Sequence, residues 1–203
     1  DEAGNPTINT DAMRSVVEQL KSVADAGLMS PYGEDGYAMF QSGDVLFSTD
    51  GTWTSTAHGS VEGLNFGVTN IYSVTPDKFT NRSSAHLFSL LNNEDRTDEK
   101  EQGVADFLSW MRENSLDWAG AGQIVASKEV FESEEYQQYP QSFFTSSDVE
   151  KEASYIFDYK YYSYVESALG TVLSDMIYGN ITIDEGLDQA QKTVEDLIAE
   201  NAS

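Results

Sequence analysis

The chain has 203 residues, no cysteine, and 35 acidic against 11 basic side chains, for a formal charge of −24 at neutral pH. That excludes a disulfide framework, thiolate chemistry and Cys-ligated zinc, and it sets the surface against phosphate backbones and anionic lipid, so nucleic acid is not an expected partner. No run of about 18 apolar residues has the pattern of a transmembrane helix, and the opening Asp1–Glu2–Ala3–Gly4 is acidic and polar, unlike a leader.

In chain order, Asn9 or Thr10 reads as a helix cap. Met13, Val16, Val17, Leu20, Val23 and Ala24 then recur at i, i+3, i+4 spacing, and Gly27 closes that helix. The stretch 38–53, AMFQSGDVLFSTDGTW, reads as a helix end stopped by Gly43, a strand over 44–49 built on Val45, Leu46 and Phe47, and a D-G turn at Asp50–Gly51 that delivers Trp53. Further strands are expected over 65–70 and 84–91, joined by a loop with Pro76 and Asn81. The charged run 92–99 leads into a helix on which Val104, Phe107, Leu108 and Met111 share a face. Residues 120–147 read as irregular, with short helices around Pro140. A strongly periodic helix follows over 161–178, ended by Gly179. Thr182 and Glu185 then have the form of a capping box for a last helix carrying Leu187, Ala190, Val194, Leu197 and Ile198. The short link predicts that the last two helices pack as antiparallel neighbours. Strands are few and helices many, which predicts an α/β or α+β class with helix predominating.

Hydrolytic chemistry has little to stand on. Paired carboxylates are certain to occur by chance among so many acids, and neither His58 nor His86 stands near a G-x-S-x-G elbow. Gly120–Ala121–Gly122 lacks the Lys-Ser/Thr continuation of a phosphate loop, and the carboxylates have no EF-hand spacing. No catalytic residue, metal site or cofactor is expected. Binding has better candidates. Trp53 beside Asp50 offers a flat ring for sugar C–H groups and an acceptor for hydroxyls; the competing reading is a core Trp that caps the strand end. Gln123 could bind hydroxyls through its amide or simply structure its loop. In the Tyr-rich stretch 155–164, Tyr161 and Tyr164 lie on the apolar stripe, whereas Tyr159 and Tyr162 lie off it, and Tyr162 is the candidate. His86 is either a strand histidine satisfied by a backbone carbonyl or an imidazole that meets a sugar hydroxyl.

Several of these segments, in this order, resemble one family. F-x-x-G followed by D-G-T-W over 40–53 is similar to the segment that extracellular solute-binding proteins of carbohydrate ABC transporters (the maltose-binding-protein-like family) carry at the start of their C-terminal lobe. Asn65–Phe66–Gly67–Val68 and Ser84–Ala85–His86–Leu87–Phe88 resemble two of its strands. EQGVADFLSWMREN (101–114), WAGAGQIVASK (118–128) and GNITIDEGLDQA (179–190) resemble its later helices and turn, with Val125 where the family often has Pro. The resemblance implies a periplasmic-binding-protein type II-like α/β fold, here a helix-rich C-terminal lobe with a small sheet. It implies that residues 1–203 are the C-terminal portion of a two-lobed protein, with 84–118 resembling a segment that belongs to the other lobe. It also implies that Trp53, Asp50, His86, Gln123 and Tyr162 face a sugar in the cleft. The expected partners are a carbohydrate ligand and the permease subunits of an importer, outside a bacterial cell, with membrane attachment only through a lipid anchor on a missing N-terminal part. Without the other lobe, the chain is expected to bind sugar weakly or not at all, or to associate through the surface that lobe would cover. The alternative is a stand-alone acidic carbohydrate-binding or protein-interaction module, with a glycoside hydrolase ranked behind it.

Overall fold

A computed structural model describes residues 4–70, 81–146 and 154–201. The chain divides into two units. One comprises the residues up to Met39 with those from Phe157 onward, and the other runs from Phe40 to Ile156.

The first unit is built on three helices, α1 (Asp11–Asp25), α8 (Tyr162–Ile177) and α9 (Ile183–Glu200). Thr10 caps α1, its hydroxyl accepting from the Met13 amide at 3.2 Å. The periodic stripes meet as expected: Ala168, Val172 and Met176 of α8 are buried with Leu187, Ala190 and Val194 of α9, joined by Val17 and Ile8. Each such side chain removed from water is worth about 1.5–3 kcal/mol, so this core dominates the unit's stability. Gly186 lets the two helices approach closely, since a Cβ there would stand 2.4 Å from the Met176 side chain. The capping box forms in full, with the Glu185 amide on the Thr182 hydroxyl at 3.2 Å and the Thr182 amide on the Glu185 carboxylate at 2.9 Å. The segment before α1 is tied to α9 by Gln191, which accepts from the Ile8 amide at 2.7 Å and donates to the Pro6 carbonyl at 3.0 Å.

The second unit is a run of short elements: the end of α2 (Gly36–Ser42), a 3-10 turn at Thr52–Thr54 leading into α3 (Ser55–Gly59), β1 (Asn81–Arg82), α4 (Asp98–Glu113), α5 (Ser115–Gly120), α6 (Lys128–Phe131), 3-10 turns at Tyr136–Gln138 and Pro140–Ser142, α7 (Phe143–Ser146) and β2 (Ser154–Tyr155). Its small core is Ala119, Val125 and Tyr136, with Leu116, Val130, Phe131 and Tyr139 packed around it.

The expected α/β class, a periplasmic-binding-protein type II-like lobe, is overturned. Such a lobe needs a mixed sheet at its centre, whereas the described residues are helix-rich and their extended pairing is confined to β1 and β2, two residues each, running parallel. The runs 44–49, 65–70 and 84–91 are all irregular. An apolar run becomes a strand only when another strand takes up its N–H and C=O groups, and among the described residues none pairs with these runs. Leu46 and Phe47 are both 86 % exposed rather than forming a strand core. The expected loop around Pro76 lies outside the described residues. No described helix is long and apolar enough to cross a membrane.

Candidate functional site

The D-G-T-W segment is the best-built part of the second unit. Gly51 precedes the 3-10 turn, and the indole of Trp53 folds back over it so closely that a Cβ at Gly51 would lie 2.1 Å from the ring. The segment rests on the turn that follows α5. Gly122 there has φ +87°, and a Cβ on it would stand 2.4 Å from the Thr52 carbonyl oxygen and 3.1 Å from the Trp53 Cα. The Thr56 hydroxyl fastens the same pair of turns by donating to the Gly120 carbonyl at 2.7 Å. Trp53 is therefore fixed at its root while 61 % of it stays exposed.

Asp50 accepts from the Ser48 hydroxyl and lies 3.7 Å from Nε2 of His58. His58 is buried, edge-on to Phe40 at 5.0 Å and to Phe66 at 5.5 Å. Sequence reasoning considered His58 only as a catalytic base and missed it as the neighbour of Asp50. The spacing of Asp50 and His58, three and five residues either side of a turn-starting Trp, was the available signal.

Gln123 continues the Gly122 turn and is half-buried. Its carbonyl accepts from Nε2 of Gln141 at 3.3 Å, and the same nitrogen donates to the Ala119 carbonyl at 2.7 Å. Gln141 is 1 % exposed, so the turn under Trp53 is stapled from inside by a residue that sequence reasoning did not single out. Beneath it Tyr136 is fully buried. Burial raises its phenol above the ordinary tyrosine range, and the Thr145 hydroxyl partly opposes that shift.

His86 is exposed and meets Trp118 of α5 edge-on, ring centres 6.0 Å apart. Trp118 is itself 44 % exposed and leads into the Gly120–Gly122 turn, so a second indole flanks the turn that carries Trp53. Asp50, Trp53 and Gln123 are thus gathered around one turn, with His86 attached through Trp118. Tyr162 is not among them. It opens α8 in the other unit, stacked on Phe157 at 4.7 Å, with its hydroxyl donating to Glu166 at 3.3 Å.

Two cavities are defined elsewhere. One of about 420 Å³ lies at the α8–α9 turn, between Lys21, Met176, Asn180 and Glu185, and one of about 280 Å³ lies between Leu90, Leu91, Arg96 and Val104. Neither is lined by the expected sugar-site residues. Among the described residues no group of acids and histidines is placed to hold a metal ion. No family model matches the chain, and no curated protein matches it.

Proposed function

We propose that this chain binds carbohydrate outside a bacterial cell, as a surface lipoprotein or periplasmic component, and serves an ABC import permease without chemically changing the sugar. Trp53 carries the sugar reading: a largely exposed indole is locked at its base by Gly51 and Gly122, with the Asp50 carboxylate three residues before it. An aromatic face that needs no ordering on binding loses little entropy, and an anionic acceptor takes hydroxyl hydrogen bonds stronger than neutral ones. Delivery to a permease rests on the sequence resemblance alone. The order Ser48–Asp50–His58 does not form a Ser-His-Asp relay. The acid stands between hydroxyl and imidazole, so His58 is not placed to draw the proton from Ser48 as a Ser-His-Asp site requires.

The test is a fluorescence and calorimetric titration of the 203-residue chain with a panel of mono- and oligosaccharides up to millimolar concentration. At least one sugar should shift the indole emission and saturate, and Trp53→Ala should weaken that binding tenfold or more. If no sugar binds, or if Trp53→Ala binds as well as the parent, the reading fails. The exposed apolar run near Leu87 favours a second reading, a protein-interaction module.

A further inference from the structure

Residues 84–90 form an irregular segment between two anchors. At its start the Ser83 amide donates to the Tyr155 carbonyl at 2.7 Å, extending the β1–β2 pairing, and at its end Nη2 of Arg96 donates to the Leu91 carbonyl at 2.6 Å. Between these points the backbone makes no hydrogen bond among the described residues. The side chains are unusually bare: Leu87 is 77 % exposed, Phe88 64 %, Leu90 60 % and Leu91 78 %. Phe88 meets Phe107 of α4 edge-on, and Phe107 is itself about half exposed. An exposed apolar segment with open N–H and C=O groups is a template for strand addition.

Charge identifies the added strand. Over 83–93 the sequence SSAHLFSLLNN carries no Asp, Glu, Lys or Arg in a chain of net charge −24, so two copies approach here without the repulsion the rest of the surface imposes. Arg82 stands just before the run and Glu94 just after it. We propose that this segment pairs antiparallel with the same segment of a second copy, about a twofold axis through Phe88. In that register Arg82 of each copy lies opposite Glu94 of the other, Ala85 lies opposite Leu91, and Phe88 faces itself. The pairing is self-complementary, as a twofold dimer requires. It supplies the backbone partners that the segment lacks and covers the leucines. Asp50 and Trp53, which carry the sugar reading, lie outside the segment, whereas His86 lies within it.

The absence of cysteine makes the register directly testable. Sedimentation equilibrium of the full chain should give a dimer at micromolar concentration. Phe88→Cys should form a disulfide-linked dimer under mild oxidation, since directly opposed residues have Cα atoms about 4.5–5.5 Å apart, within disulfide reach. Leu91→Cys should not, because the two copies of position 91 would be offset by about 20 Å along the strands. Arg82→Glu should weaken the dimer at least fivefold, and adding Glu94→Arg should restore it. A monomer at these concentrations, no crosslink at position 88, equal crosslinking at position 91, or no rescue by the charge swap would each overturn the proposal.

Discussion

The Asp50 carboxylate stands 3.7 Å from Nε2 of His58 while it accepts the Ser48 hydroxyl, so the acid before the exposed Trp53 is held from two sides. The two partners of this contact should respond differently to substitution. Asp50→Asn keeps the shape and removes the anionic acceptor. It should cost sugar affinity about 1.5–3 kcal/mol, read by calorimetry, with little change in melting temperature. His58→Ala deletes a buried ring from between Phe40 and Phe66 and should cost about 3 kcal/mol of stability, read by urea denaturation.

The two glycines under Trp53 make separable predictions. Gly51 has φ −88°, which any residue adopts, so Gly51→Ala should mainly displace the indole and shift its fluorescence emission. Gly122 combines φ +87° with a backbone oxygen 2.4 Å from where a Cβ would sit. Gly122→Ala should therefore strain the turn itself and destabilise the protein by about 1–3 kcal/mol, measured by thermal melting, and should reduce sugar binding as well.

In the helical unit, Leu187→Ala empties a fully buried site between α8 and α9 and should cost about 2–5 kcal/mol. Thr182→Ala removes the hydroxyl half of the capping box and should cost about 0.5–2 kcal/mol. Urea unfolding followed by circular dichroism separates the two, and equal effects would contradict the burial of Leu187.

The unit should also lose stability at both ends of the pH scale. Hydrogen bonds from Asn180 and then Tyr32 hold the Asp175 carboxyl below its ordinary range, and the Thr182 hydroxyl and amide do the same for Glu185. A carboxyl depressed in the folded state contributes stability above its unfolded pKa, and that stability is lost as pH falls through the folded value. Tyr32 is raised, first by its hydrogen bond to Asp175 and then by that group's charge. Its contribution is complete below the ordinary tyrosine pKa and disappears as pH rises through the elevated native value. Melting temperature against pH should fall on both limbs, and Tyr32→Phe should flatten the alkaline limb while softening the acid one.

The helices of the first unit were legible because their signals are local. Val165, Ala168, Val172 and Met176 repeat every three or four residues, and Thr182 with Glu185 writes its own cap. The strands were not legible, for the converse reason. Val45–Leu46–Phe47 and Leu87–Phe88 have the composition of strands, but strand formation depends on a partner elsewhere in the chain, which composition does not encode. At the candidate site, Trp53, Asp50 and Gln123 could be chosen from residue type and turn chemistry. Gln141, which staples the turn from eighteen residues beyond Gln123, could not, because its value lies wholly in the two carbonyls it reaches.

The tie between Ile8 and Gln191 joins positions 183 residues apart in the sequence. A ribosome adding about 5–20 residues per second delivers Ile8 and α1 on the order of ten seconds or more before α9 exists to receive them. During that interval Val17 has none of its partners in α8 and α9, while α8 and α9, adjacent in sequence, can pair as soon as both have emerged. α1 is therefore made well before it can dock, and a nascent chain arrested before residue 183 should present α1 as an exposed apolar stripe to the chaperones of the cell.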